Sequence, residues 1–312
     1  MLSPKISGQV AGGGLLLSLF LNFMRLNARQ IESFHEDGFL ILESWFSPAE
    51  VSLLKRETYR EFEIDQPGRI LEKNGAVRTV FAAHKTNSAF SKLTRLPRLA
   101  GPAAQLLDDH VYVHQFKINA KLGLDGDQWE WHQDYLYWLK EDGMPTANVL
   151  SAVVFLNEVN DFNGPLLLIP GSHELGAVDL DAEKKYAASA GSKDAWMPTL
   201  TADLKYKISR KFLSKVLETR EIVAAKGAPG FVVFFHGNTL HASAGNLTPV
   251  DRLSIFVSYN GVANALRPIA NPRPTFISER DFTPIELVAD DALLSQQHPR
   301  ISPDECLAPI PA

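Results

Sequence analysis

Between Val111 and Tyr259 the chain is built from short apolar or alternating runs, each closed by a turn signal. That rhythm constrains the fold more than any other feature. Val111–Ile118 alternates side to side, so one face would be buried while the other meets a cavity or solvent. Leu150–Leu156, Pro165–Ile169, Gly230–Phe235 and Leu253–Tyr259 are further strand candidates. Asp161-Phe162-Asn163-Gly164, Pro170-Gly171-Ser172 and Ala228-Pro229-Gly230 punctuate them. Many short strands with such punctuation predict a mainly β protein with flanking helices, its core a double-stranded β-helix or jelly roll of the cupin type.

Ahead of the strands, Asn27 to about Phe62 spaces its apolar residues for helices, and Ser47-Pro48-Ala49-Glu50 is a capping-box start. Gly38–Leu42 between the two helices is short and apolar enough for a strand. After Gln66-Pro67-Gly68 the pattern turns to short strands. Residues 173–222 are charged and partly helical, a solvated excursion or a specificity loop. From Ala270 the tail is proline-rich and is expected to wrap the surface. The reading is one domain over 27–312 behind an extension at 1–26.

With 45% apolar and 21% charged residues in 312, the chain has ample material for one large core. A net charge of −5 argues against a nucleic-acid partner. The single cysteine, Cys306, excludes an intrachain disulfide and a thiolate zinc site, and fits a reducing cytoplasm. Gly12–Met24 is apolar but shorter than the roughly 20 residues of a bilayer span, so no stable membrane span is expected. Nor does Arg25–Arg29 supply a convincing signal-peptide cleavage site.

The chemistry concentrates in Trp131-His132-Gln133-Asp134, with His241 and then Arg252 far downstream. On an extended strand His132 and Asp134 point the same way, and His241 would close a two-histidine, one-carboxylate set. Such a set occupies one face of Fe(II) and leaves the opposite face open. Taken alone, a His-x-Asp pair more often makes a hydrogen bond than a metal site. His236 is the rival third ligand, read here as structural. Zinc is the rival metal, without the usual three-histidine or His-Glu-His pattern. Arg252 opens an apolar strand, and its guanidinium suits the distal carboxylate of 2-oxoglutarate, with Ser243 adding a hydrogen bond.

The pattern resembles the phytanoyl-CoA dioxygenase superfamily. The residues that carry the likeness are Val113–Lys121, Trp131–Tyr135, Trp138, Glu141–Met144, Asn163–Leu166, Pro170–Gly176, His241, Arg252 and Tyr259-Asn260. Within that superfamily it is similar first to hydroxylases of free amino acids such as free L-proline 4-hydroxylase, and next to ectoine hydroxylase. The resemblance implies His132, Asp134 and His241 as iron ligands. It implies Arg252, Ser243, Asn119 and Lys121 as holders of 2-oxoglutarate, and Gln115, Lys117, Trp138 and Phe256 around the substrate. Lys117 stands where ectoine hydroxylase has arginine, and Gln133–Tyr137 departs from its Ser-Asp-Phe-Glu-Thr run.

The expected activity is Fe(II)-, 2-oxoglutarate- and O2-dependent hydroxylation of a small free amino or imino acid of the proline, leucine or pipecolate type, with ascorbate as reductant. Ectoine is the alternative substrate. A non-catalytic jelly-roll binding module and a zinc hydrolase are the readings from other classes. Lys117, Arg78 and His84 are candidates to meet a substrate carboxylate.

Overall fold

A computed structural model describes residues 25–178 and 204–295. Two antiparallel sheets face each other. The larger runs in the order β1-β9-β6-β11-β4-β3-β2, and the smaller in the order β5-β10-β7-β8. The larger contains β1 (Phe39–Leu42), β2 (Arg69–Leu71), β3 (Val77–Phe81), β4 (Val111–Lys121), β6 (Val149–Phe155), β9 (Val232–His236) and β11 (Arg252–Gly261). The smaller contains β5 (Trp129–His132), β7 (Leu166–Leu168), β8 (Val223–Ala225) and β10 (His241–Ser243). This is the jelly-roll arrangement that the punctuated strands imply.

The alternation along β11 explains the layering. Leu253, Ile255, Val257 and Tyr259 join Phe116, Ile118 and Ala120 of β4 in the outer core. The alternate residues Arg252, Ser254, Phe256 and Ser258 lie opposite Lys121, Asn119, Lys117 and Gln115, and so share the inner face. Between the sheets, Phe155, Phe235 and Phe256 pack against Leu166 and Leu168, which closes the space behind the site.

The helices cover the outer face of the large sheet. They are α1 (Ala28–Asp37), α2 (Pro48–Phe62), α3 (Ser88–Thr94) and α4 (Pro97–Leu107). Asn27 and Ser47 each form a full capping box, the latter with Glu50 as its spacing foretold. The pair α3 and α4 corrects the expectation of short strands after Pro67. Pro97 opens α4 at a position where a missing N–H costs nothing, and Pro102 is tolerated inside it. Leu93, Leu96, Leu99 and Ala103 pack into the outer core.

Two boundaries also shift. Leu26, assigned to the extension, is buried in the core, and its backbone N–H and C=O both pair with Gln105. Residues 1–24 of that extension, and the middle of the 173–222 excursion, lie outside the described residues. The ends of the excursion hold a single turn at Ser172–Leu175 and the helix α6 (Arg210–Val216). The proline-rich tail does wrap the domain, yet it sends Arg273, Ile277 and Leu293 into buried positions. No described helix is long and apolar enough to cross a membrane.

Candidate active site

His132 ends β5, and His241 begins β10 directly opposite it in the antiparallel register. Cross-strand pairing therefore brings together two residues far apart in sequence, with ring centroids 4.1 Å apart. Asp134 is not on the strand as expected. Gln133 is still extended (φ −120°, ψ 127°), and Asp134 opens the short helix α5 (Asp134–Tyr137). The extended Gln133 alone preserves the two-residue spacing that turns both ligands the same way.

Asp134 Oδ1 lies 3.7 Å from His132 Nε2, and its Oδ2 lies 3.8 Å from His241 Nε2. The three residues each offer a ligand atom within 4.8 Å of the others. Each imidazole is oriented through its other nitrogen. His132 Nδ1 pairs with the Glu130 carbonyl at 2.6 Å, and His241 Nδ1 with the Thr239 carbonyl at 2.9 Å. Donation to those carbonyls leaves both Nε2 lone pairs facing the carboxylate, the usual outer support of a metal site.

The electrostatics suit a cation. Burial, then the neighbouring His241, drops the pKa of His132 to about 3, and burial also lowers that of His241. Both rings are therefore neutral ligands. Burial alone would raise Asp134, but the Lys117 ammonium leads the charges that outweigh it and keep the carboxyl ionised. Asp134 Oδ2 is buried without a hydrogen-bond partner. An orphaned, ionised oxygen facing two imidazole lone pairs is what a bound divalent iron would satisfy.

Arg252 lies at the far end of the same cavity, 4% exposed. Its Nη1 donates to Ser254 Oγ at 2.8 Å and its Nη2 to the Gly164 carbonyl at 2.9 Å, while Nε has no partner. No described carboxylate pairs with it, and burial pulls its pKa down to about 9. A desolvated guanidinium without a counter-ion fits the distal carboxylate of 2-oxoglutarate. Gly164 is required where it stands. Its φ is +77°, and a Cβ would lie 2.6 Å from both the Ala244 carbonyl and Lys121 Cδ.

Asn119, Ser243, Lys117 and Phe256 line this cavity with the two histidines. Lys117 Nζ is 3.9 Å from Asp134 Oδ1 and sits over the Phe256 ring at 4.9 Å. The other expected residues stand apart from it. Lys121 turns its amine to the Asp127 carbonyl at 2.5 Å. Trp138 is buried among Tyr135, Tyr137, Met144 and Tyr206. Gln115 donates to the Ile277 carbonyl at 2.8 Å. Arg78 pairs with Glu72 at 2.8 Å and stacks on Trp129 at 3.7 Å, and His84 stacks on Phe116 on the outer side of β4. His236 lies outside the ligand set: its Nδ1 accepts from the Asn238 N–H, and its ring meets His173.

One functional residue escaped the sequence reading. Gln133 is wholly buried, and its Nε2 donates to the Asn238 and Gly176 carbonyls at 2.7 and 2.8 Å. Its Oε1 accepts from the Val178 N–H at 3.0 Å. The amide thus ties the His132–Asp134 segment to the loop that delivers His241. Only its place between two ligands hinted at this.

The Phytanoyl-CoA dioxygenase (PhyH) family profile matches residues 34–254. The chain belongs to that family. The ectoine dioxygenase of Bordetella bronchiseptica is 37% identical over 270 residues, covering 82% of this chain and 83% of its own. That of Stutzerimonas stutzeri is 36% identical over 271 residues, covering 83% and 86%. Among solved structures, EctD from S. alaskensis with 2-oxoglutarate and 5-hydroxyectoine superposes with a TM-score of 0.71 at 31% identity, covering 85% and 88% of the two chains. The same enzyme with bound Fe gives 0.70. The chain is therefore a PhyH-family Fe(II)- and 2-oxoglutarate-dependent dioxygenase that uses O2.

Proposed function

We propose that this dioxygenase hydroxylates ectoine or a close cyclic, carboxylate-bearing analogue. One observation carries the reading: the two histidines of a buried His-Asp-His set line one cavity with an arginine that meets no described carboxylate, in a chain 37% identical to an ectoine dioxygenase across 82% of its length. Proline-type substrates ranked first on sequence, and these relatives support ectoine ahead of them. A proline or pipecolate reading keeps second place on one residue, since Lys117 stands where the ectoine enzyme is expected to carry arginine.

In this reading His132, Asp134 and His241 hold iron, while Arg252, Ser243 and Asn119 hold 2-oxoglutarate. Lys117 and Phe256 flank the substrate, whereas Trp138 and Gln115 act from behind the wall. When bound, the iron and 2-oxoglutarate supply the oxidation: O2 and 2-oxoglutarate yield succinate and CO2, and one oxygen atom becomes the hydroxyl of the product. The protein's share is orientation and exclusion of water. Arg252 fixes the co-substrate from its far end, the backbone-anchored histidines keep their Nε2 atoms on the metal, and the Phe155–Phe235–Phe256 layer keeps the rear dry. The Lys117 ammonium stands at the metal end of the cavity, where a substrate carboxylate would be attracted.

The test is mass-spectrometric product detection with iron-loaded protein, 2-oxoglutarate, ascorbate and air, offered ectoine, proline, pipecolate and leucine separately. Hydroxyectoine with equimolar succinate is expected. Oxidation of proline or pipecolate alone would transfer the reading to the amino-acid hydroxylases, and succinate without any oxidised compound would reject both substrates.

A further inference from the structure

One buried group near the site has no part in this chemistry. Along β4 the register with β11 slips between Ser258, paired with Gln115, and Tyr259, paired with Val113. His114 is therefore the extra residue of a β-bulge. Beyond the bulge Val111 and Val113 pack on the outer core beside Phe116. His114, which strict alternation would send there, is turned instead toward Trp138 and Asp142. Its ring meets Trp138 edge-on, with centroids 5.3 Å apart at 80°, and its Nε2 is 3.3 Å from Asp142 Oδ2. All three side chains are buried.

Asp142 passes the contact to the tail. Its Oδ1 accepts from Arg273 Nε at 2.8 Å and its Oδ2 from Arg273 Nη2 at 2.5 Å, a bidentate pair. Arg280 Nη1 donates to the Asp142 backbone carbonyl at 3.0 Å. The same tail segment is stitched to the bulge itself. The Glu279 N–H donates to the His114 carbonyl and Gln115 Nε2 to the Ile277 carbonyl, each at 2.8 Å. Gln115 lies on the same inner face of β4 as Lys117, two residues away, so its bond to the Ile277 carbonyl sets this segment alongside the Lys117 end of that face. A bulge interrupts the ladder, and here it is kept where it fastens the 273–280 segment to β4 and Asp142, next to inner-face Gln115.

We propose that His114 is a positioning residue for substrate selection: through Asp142 it fixes Arg273 and the 273–280 segment as one wall of the substrate pocket, and its ring sets the plane of Trp138. This rests on the reading of the chain as a small-molecule hydroxylase whose substrate lies beside Lys117. The segment then limits the size of molecule admitted and keeps water from the metal-facing side. A loosened wall admits substrate poorly and lets 2-oxoglutarate be consumed without hydroxylation.

The experiment compares wild type with Asp142→Asn, His114→Phe and His114→Gln. The readouts are substrate KM, 2-oxoglutarate KM, succinate formed per hydroxylated product, and hydrogen exchange across residues 273–280. In Asp142→Asn and His114→Phe the substrate KM should rise at least about tenfold and succinate should outrun product, while the 2-oxoglutarate KM stays within about twofold. Exchange in 273–280 should quicken in the same two variants. His114→Gln, which keeps a hydrogen-bond donor in that place, should restore coupling. Unchanged substrate KM, coupling and exchange would overturn the proposal. So would a parallel loss of 2-oxoglutarate affinity and thermal stability, the mark of a purely structural histidine. If wild type oxidises nothing in the panel, the functional reading fails by itself. The exchange data still decide the tie, since unaltered exchange in Asp142→Asn refutes it and faster exchange upholds it.

Discussion

At the scale of single residues, Asp134 and Arg252 are buried charged groups that each keep one polar atom, Oδ2 and Nε, without a hydrogen-bond partner inside the protein. A buried charge that is not fully compensated costs several kcal/mol, and in the proposed reading a ligand completes each of the two. Asp134→Ala should abolish hydroxylation and reduce bound iron, measured by metal analysis after desalting; full activity in that variant would refute the triad. Replacing Arg252 by methionine removes charge-assisted hydrogen bonds worth about 1.5–3 kcal/mol, so the KM for 2-oxoglutarate should rise about 10- to 100-fold, read from succinate release. Trp138 poses a different question, because it is 1% exposed and packed on all sides. Truncation to alanine should cost about 3–5 kcal/mol in a urea titration. Turnover that falls in step with stability assigns the indole to the core, whereas a much larger fall in turnover assigns it to the pocket wall.

At the scale of elements, the strands were legible because alternation and turn chemistry are local. Val149–Phe155 and Arg252–Gly261 lie within a few residues of where the runs Leu150–Leu156 and Leu253–Tyr259 place them. The helices α3 and α4 were not legible, since Pro97, Gly101 and Pro102 look like breakers until packing on the outer core decides the matter. The bulge at His114 was equally hidden, because it exists only in the pairing with β11. Another junction of elements carries a pH dependence. His173, in the turn after β7, contacts His236 at the end of β9 and hydrogen-bonds the His35 carbonyl near the end of α1. Gly38 caps α1 there in the left-handed region, where a Cβ would meet His173 Nδ1 at 2.4 Å. Burial, then His173 and His35, lowers the pKa of His236 to about 4, against about 6.5 in an unfolded chain. The fold therefore favours the neutral ring. Its contribution is complete above about pH 6.5 and declines as pH falls toward 4, because the unfolded chain takes up the proton first. Thermal melts across that window should show a slope that flattens in His236→Asn. An unaltered slope would place the acid sensitivity elsewhere, His84 being the next group to examine.

At the scale of the whole molecule, two sheets hold the metal end and the arginine end of one cavity in a fixed relation. The small sheet supplies His132 and His241, and the large sheet supplies Arg252, Asn119 and Lys117. The ligands could be read from the sequence because His132 and Asp134 share a local spacing and Arg252 opens a strand. The supports could not, because Gln133 with Asn238 and Arg252 with Gly164 are contacts between segments distant in the chain. A ligand set that bridges the two sheets binds only the folded state, so it must raise stability by mass action. Redox-inert Mn(II), whose ligand preference overlaps that of Fe(II), serves as the probe. With metal and 2-oxoglutarate each at about 100 times its Kd, each ligand adds about 2.7 kcal/mol. At about 2–4 °C per kcal/mol for a domain of this size, each increment should raise the Tm by roughly 5–10 °C. Asp134→Ala should lose both increments, because 2-oxoglutarate needs the metal as well as the arginine. Arg252→Met should keep the metal's increment and lose most of the second. If Arg252→Met gains as much from 2-oxoglutarate as wild type does, the distal carboxylate is held elsewhere, and the two-ended cavity is not the co-substrate site.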